Sequence, residues 1–336
     1  MALPRRAYAV PPWWDEEGLM PVDYIAAVEA AIRAPSLHNT QPWRFRMRQD
    51  AIEVRMDPKR RLPASDPTGW AARMSVGAAV YNLRLALAVQ GRQPRVRLVP
   101  VADDPDLLAV VEITGQRPAS EEERRLWQAI WRRHSNREPF WPDPVPAESR
   151  RRLVNAAQTE GGWLELLIGT GPLEALGRIA RAADALLMRD DAYRAELAAW
   201  TRPNGGDGHV DGVPESAGGP RPGPQDLLPA RPFSSEPRSA GQDPETHPLV
   251  AVLGTVADTP ADQVHAGEIL QRVLLTATDD GLAASMISQP VEVETAREQL
   301  RLALGRSGPP QMVLRIGYGV PGAPTPRRPV DEVIDD

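Results

Sequence analysis

Two glycine-bounded apolar helical stretches stand 190 residues apart, and they limit the possible folds more than any other feature of the chain. Gly77–Gly91 lies over Gly267–Gly281 without a gap, and each stretch is followed by a strand-like pattern. Any two core helices could match this well, so one reading is coincidence. The other is two copies of one α+β unit fused in a single chain. A site normally built by two subunits would then form between the two halves.

The rest of the chain divides by periodicity and by turn residues. Val22 to Arg33 reads as an amphipathic helix with Tyr24, Ile25, Val28 and Ile32 on one face, ended by Pro35. Arg44 to Met56 alternates in strand fashion through Phe45, Met47, Ile52, Val54 and Met56. Met74 to Gln90 predicts a helix, and Arg95 to Pro100 and Leu108 to Thr114 predict strands. Glu121 to Arg133 and Pro146 to Thr159 are helical, Trp163 to Ile168 is a strand, and Pro172 to Arg189 is helical. Val264 to Thr278 and Glu292 to Leu304 predict helices, and Gln311 to Tyr318 a strand. Thr201 to Pro248 stands apart: glycine and proline make up 18 of its 48 residues. Such a stretch is a lid or disordered. Its apolar residues Val210, Val213, Leu227, Leu228 and Phe233 favour a lid.

Composition removes several functional classes. The chain has 336 residues, 42% hydrophobic and 25% charged, ordinary for one large or two medium globular domains. With no cysteine there is no disulfide, iron–sulfur cluster, zinc ribbon or thiol nucleophile. A net charge of -6 argues against a nucleic-acid partner. Met1 to Gly18 lacks the apolar core of a signal peptide, and no run approaches the roughly 18 apolar residues of a membrane span, so a cytoplasmic protein is expected. The only lysine, Lys59, is an exposed-looking loop residue, which argues against Schiff-base chemistry. His209, His247 and His265 have no metal-ligand spacing with carboxylates, so no metal site is expected. Gly169-Thr170-Gly171-Pro172 lacks the third glycine of a dinucleotide fingerprint and reads as a turn, and Gly205-Gly206-Asp207-Gly208 reads as a flexible loop.

Two segments about a hundred residues apart carry the chemistry. In Arg133-His134-Ser135-Asn136-Arg137, one edge of an extended stretch offers a forked cation, a hydroxyl and a second forked cation. These groups suit a phosphate monoester and an electron-rich ring edge. Taken alone, the stretch could equally be a basic helix terminus in solvent. Ala34-Pro35-Ser36-Leu37-His38-Asn39-Thr40-Gln41-Pro42-Trp43 is a proline-bounded polar loop ending on an aromatic. It suits the polar tail and ring of a cofactor, or it ends a helix and satisfies its own backbone. His38 reads as a partly exposed imidazole without a catalytic role, and Trp43 and Tyr318 as core.

The Pro-Ser-x-x-Asn-x-Gln-Pro-Trp loop resembles the FMN-contacting motif of the nitroreductase superfamily. Arg133-x-Ser135-x-Arg137 resembles that family's second signature. Gly281-Leu282 after a long helix and the tail Gly317-Tyr318-Gly319…Arg327-Arg328-Pro329 resemble its C-terminal half. The likeness spans nearly the whole chain as two units: 1–118 with the loop, and 119–336 with the strip, the tail arginine and a lid over 201–248. Glu160-Gly161-Gly162-Trp163 stands where the second loop would be. This fused pattern is similar to the Acg-like subfamily.

The resemblance implies an α+β fold of two tandem units, each an antiparallel sheet packed with helices, forming an internal pseudo-dimer. It implies a monomer holding one complete FMN site and one degenerate one. Carried over by motif, Arg133, Ser135 and Arg327 hold the FMN phosphate, with Arg328 as the alternative tail residue. Arg137 reaches the N1/O2 edge of the ring. Pro35, Ser36, Asn39 and Gln41 meet the ribityl chain and ring, and backbone amides near Ser288 and Gln289 face N5. The implied activity is two-electron hydride transfer to or from a nitroaromatic, quinone or metabolite, with NAD(P)H or another donor. Two alternatives stay open: a protein that sequesters FMN with little NAD(P)H turnover, and a dehydrogenase of a biosynthetic intermediate.

Overall fold

The order helix–strand–strand–helix–strand–strand occurs twice along the chain. Its first occurrence is α1 (Tyr24–Ala31), β1 (Trp43–Met47), β2 (Ala51–Met56), α2 (Trp70–Val89), β3 (Arg92–Leu98) and β4 (Leu107–Gln116). Helix α3 (Glu121–Ile130) leads to the second, which opens with α4 (Ala147–Thr159) and β5 (Trp163–Leu167). Four elements are inserted there: α5 (Thr170–Leu187), α6 (Asp191–Ala199), β6 (Thr201–Arg202) and β7 (Val213–Pro214). The order resumes with β8 (Leu249–Gly254), α7 (Pro260–Asp279), β9 (Ala283–Ile287), the short α8 (Gln289–Glu292), α9 (Glu294–Ala303) and β10 (Pro310–Gly317), and β11 (Ile334–Asp335) follows.

The structure, a computed structural model, describes residues 22–99, 103–204, 208–221, 223, 226–234 and 249–335. The readings of Met1–Gly18, Gly205–Asp207 and His247 fall outside these residues, as does the 235–248 part of the Thr201–Pro248 segment.

The architecture is α+β. The sheets run β11-β1-β2-β4-β3 and β5-β8-β10-β9, so apart from β11 both follow the order first-second-fourth-third. Every pair within those four-strand sets is antiparallel. Strand β11 joins β1 in parallel, Phe45 beside Ile334, so the chain's tail extends the first sheet.

Helices α2 and α7 cross at the centre, and glycine sets their distance. A Cβ on Gly77 would stand 1.8 Å from the carbonyl oxygen of Val264, and one on Gly267 would stand 2.0 Å from that of Met74. Met74 and Val264 share the same 190-residue offset as the two glycines, so the contact is reciprocal, as in a two-fold interface. Near the crossing Gln271 Nε2 donates to Asn82 Oδ1 at 2.8 Å, and both side chains are buried. Local signals start the helices. Asp66 accepts from the N–H groups of Ala71 and Ala72 at the start of α2, and Thr259 and Asp262 form a capping box on α7 with Pro260 in its first turn.

The two sheets are covered differently. The first lays Phe45, Ile52, Val54, Ala109 and Val111 against α1 and α2 and carries charge on its other face, where Arg95 and Arg97 pair with Glu112. The second is covered on both faces: Ala251 and Leu253 of β8 join the core with α7, while Val250 and Val252 pack with Leu173, Leu176 and Ala180 of α5. This is why β8 carries no alternation to read in the sequence, and it was not among the expected strands. Other departures are local. Arg44–Met56 is a hairpin, β1 and β2, rather than one strand. Ile25 is exposed while Ala27, Ala30 and Ala31 take the buried face of α1. Helix α6 follows α5 unforeseen.

Gly77→Ala should destabilise the protein by about 3 kcal/mol in urea unfolding, because backbone is what the new Cβ meets. Gly171→Ala, with nothing within 4 Å of its Cβ position, should stay within about 0.5 kcal/mol of the parent.

Candidate functional site

The polar loop between α1 and β1 is held in a conformation that most residues avoid. His38, Asn39 and Gln41 have φ of 50°, 56° and 52°, in the left-handed region. Each costs of order 1 kcal/mol or more, and such positions concentrate at functional sites. The surroundings impose the shape. Ser36 Oγ accepts from the Gln41 N–H at 2.9 Å. Asn39 Nδ2 donates to the carbonyls of Gly212 (2.9 Å) and Pro326 (3.0 Å), and its Oδ1 accepts from Arg327 at 3.0 Å. Gln41 Nε2 donates to the Val210 carbonyl at 2.8 Å, and its Oε1 accepts from the Arg328 N–H at 2.8 Å. Asn39 and Gln41 therefore tie the loop to the 208–234 segment and to the tail. His38 is buried, not partly exposed as expected: Ser65 Oγ lies 3.4 Å from Nε2 and the Phe233 ring meets it edge-on. Burial holds it well below its usual pKa, with Arg231 and Arg137 adding to the shift, so the imidazole is neutral at pH 7.

Arg133 and Arg327 converge on this loop from opposite ends of the second run. Arg133 donates to the Arg33 carbonyl at 3.1 Å, and Arg327 donates to the Ile32 carbonyl at 2.8 Å and the Ala34 carbonyl at 3.2 Å. Among the described residues neither has a carboxylate partner, and Arg133 Nε is buried with no hydrogen bond. Burial pulls Arg133 down to about 10. Burial, then the charges of Arg133 and Arg33, pull Arg327 to about 9. Arginine stays charged regardless, so these shifts register buried cations that lack an anion. Arg328, the alternative tail residue, is different: it faces Asp57 at 3.6 Å and Glu332 at 3.7 Å.

A cleft opens beside the loop, with walls from both runs and the inserted segment. Pro35, Ser36 and His38 line one side, Ser135 and Arg137 the next, and Ser285 to Gln289 the far wall. The floor is the first half of α2, where Ala71, Ser75 and Ala78 form a small-residue face flanked by Trp70 and Met74. That face was not read from the sequence, although its small residues at i, i+4 and i+7 are a signal of close approach. Leu227 to Arg231 and Phe233 cover the top. Of the expected site residues, Pro35, Ser36, Ser135, Arg137, Ser288 and Gln289 line the cleft. Arg133, Arg327, Asn39 and Gln41 stand behind its wall.

The cover is fixed by a cation that sequence reading missed. Arg231 donates to Tyr193 Oη at 3.1 Å and to Ser288 Oγ at 3.0 Å, and pairs with Glu292, the two side chains being 8% and 1% exposed. Gln289 Nε2 contacts the Pro229 carbonyl. Phe233 lies under the Arg137 guanidinium at 5.0 Å, and Arg137 donates to the Ala217 carbonyl at 2.7 Å. Burial and the nearby Arg231 pull Arg137 down to about 10.

The residues at the same offset in the second run are arranged differently. Three residues join α4 to β5, against eleven between α1 and β1. One of the three, Glu160, is buried and pairs with Arg84 (2.9 Å) and Arg272 (2.8 Å). Where α2 presents Ser75 and Ala78, α7 presents His265 and Glu268 at the same offset. Glu268 pairs with Arg84 at 2.7 Å and lies 3.3 Å from His265 Nδ1. No group of histidines and acids among the described residues has metal-binding geometry, and no described helix is long and apolar enough to cross a membrane.

No family model matches the chain. It is 33% identical over 315 residues to a "Putative NAD(P)H nitroreductase" of Mycobacterium tuberculosis strain H37Rv, covering 91% of this chain and 89% of that one. It is 32% identical over 319 residues to the "Putative NAD(P)H nitroreductase acg" of the same strain, covering 92% and 94%. A solved FMN- and NADPH-dependent nitroreductase, NfnB from sphigopyxis sp. strain HMH, is 19% identical with a TM-score of 0.41, covering 62% of this chain and 97% of that one. The chain belongs to the nitroreductase superfamily. Within it, the relatives place it in the Acg-like branch.

The His265–Glu268 pair carries a pH signature. The hydrogen bond and charge of Glu268 raise the His265 pKa above its usual 6.5. A raised folded value adds stability that is complete below the unfolded pKa and is lost as pH rises through the folded one. The parent should therefore lose more stability than His265→Asn between pH 6 and 8, measured by urea unfolding at each pH.

Proposed function

We propose that this chain is an FMN-dependent oxidoreductase built as an internal pseudo-dimer, one site complete and its counterpart filled by Glu160 and Glu268. The repeated strand order and the reciprocal glycine contact support the duplicated architecture. The observation that carries the cofactor is the pair of buried cations, Arg133 and Arg327, lacking any described carboxylate and standing behind the wall of the cleft that Ser36 and Ser135 line. A phosphate monoester has the charge and the acceptor oxygens to satisfy both. The cleft's small-residue floor and its Trp70, Met74 and Leu270 walls suit a flat ring system.

Bound FMN would supply two-electron chemistry as hydride transfer at its N5. The chain's residues supply the setting. Arg133 and Arg327 neutralise the phosphate and Ser135 adds a hydroxyl. Arg137 puts a fixed cation beside the ring edge that gains charge on reduction, which raises the reduction potential. Pro35 and Ser36 flank the ring, and the backbone near Ser288 and Gln289 closes the far side. Asn39 and Gln41 act indirectly, by fixing the loop. Neutral His38 offers hydrogen bonding without charge. Substrates are small organic molecules such as nitroaromatics, quinones or metabolites, with NAD(P)H or another donor. The chain works as a cytoplasmic monomer, since its first run supplies what a partner subunit would.

A second reading, sequestration of FMN, is favoured by the closed cover, in which Arg231 is locked to Glu292 and Phe233 sits against Arg137. Donor access decides between the two. Flavin that bleaches quickly under anaerobic NADPH or NADH supports the oxidoreductase, and yellow colour that persists with both supports sequestration.

Arg133→Ala and Arg327→Ala should each weaken FMN binding by roughly tenfold to a hundredfold, the worth of a charge-assisted contact, and the double variant should purify colourless with its fold intact. Full yellow colour in the double variant would contradict the assigned phosphate site.

A further inference from the structure

The two segments that meet at Arg133 and Arg327 continue outward, and each ends on a surface feature that FMN alone does not use. Along the strip, Arg137 and Ser135 line the cleft, Arg133 is 6% exposed and Trp131 is 41% exposed. Along the loop, Ser36 and Pro35 line the cleft, the carbonyls of Ala34 and Arg33 accept from the buried arginines, and the Arg33 side chain reaches the surface. The two ends meet: the Arg33 guanidinium lies over the Trp131 ring, 5.4 Å from its centroid. Trp127 meets that indole edge-on at 6.4 Å. Among the described residues neither Arg33 nor the neighbouring Arg132 has a carboxylate partner, although the chain's net charge is -6.

We propose that Trp131 and Arg33 form an outer subsite for an adenosine phosphate, the far end of a dinucleotide whose flavin or nicotinamide end reaches the cleft. Arg133 and Arg327 suit the inner phosphate, and Arg33, with no described carboxylate partner, is left for the second. An exposed indole braced by a neighbouring ring is a stacking platform for a purine, and the guanidinium now above it shows that the face accepts a flat group. Binding turns Arg33 onto the second phosphate and gives its place to the base. Two ligands share this chemistry: FAD in place of FMN, and the adenosine end of NAD(P)H. The inference rests on the flavin reading above, since it takes the buried arginines as the inner phosphate site.

The test uses flavin-stripped parent, Trp131→Ala and Trp131→Phe. FMN and FAD are titrated by flavin fluorescence, and NADP+, as a non-reducing probe, is titrated into the FMN-loaded proteins. FMN affinity should be unchanged in both variants. Either FAD or NADP+ should bind Trp131→Ala about tenfold more weakly, the scale of one lost base stack, and recover in Trp131→Phe. The ligand that responds identifies the source. If FAD and NADP+ both bind Trp131→Ala as tightly as the parent, or if FMN weakens equally, the subsite is overturned. Parent protein that takes up neither FMN nor FAD contradicts the flavin reading, and this inference with it.

Discussion

The close crossing of α2 and α7 is the contact on which the rest depends. Glycine at 77 and 267 lets each backbone approach the other's carbonyls, and no side chain fits between them. Because the helices touch so closely, the first half of α2 becomes the floor of a cleft whose walls come from β9, β10 and the 133–137 strip. Wider spacing would move Ser75 and Ala78 away from Ser285 and Met312. The small residues thus serve twice on one helix, for packing on one side and for space on another.

From this near-symmetric frame the two corresponding places diverge through loop length and a few side chains. An eleven-residue connection before β1 has room to fold over the cleft and accept Arg133 and Arg327 on its carbonyls. The three-residue connection before β5 has none, and its Glu160 closes the space with Arg84, Arg272 and Glu268. The charge logic is opposite in the two places. One holds buried cations without described acids, the arrangement on which the proposed phosphate site rests. The other is internally paired, and its buried charges compensate one another.

Much of this was legible in the sequence where the signal was local. The long apolar helices, their glycine ends and the strand-like alternation of Arg44–Met56 depend on near neighbours, although the turn that folds that stretch into a hairpin was not read. The 133–137 strip stood out because two forked cations flanking a hydroxyl suit an anion, and the structure buries Arg133 and Arg137. What escaped depends on tertiary context. Strand β8 has no alternation because helices cover both its faces. His38 reads as a polar loop residue, yet Phe233 and Ser65 bury it from distant parts of the chain. Asn39 and Gln41 were expected to meet a ligand, but their side chains are taken up by the carbonyls of Val210, Gly212 and Pro326. Arg231 carries no local signature, because its meaning comes from Glu292 and Tyr193, which the sequence leaves far from it.

The central claim is one flavin site per chain, made by both halves and not repeated. It is tested most directly by the stoichiometry of FMN bound per chain of purified protein, from visible absorbance against protein concentration after saturation and removal of excess. The account predicts one FMN per chain. Two per chain would mean that the pocket around Glu160 is open to a ligand, and none would mean that Arg133 and Arg327 hold something other than a flavin phosphate.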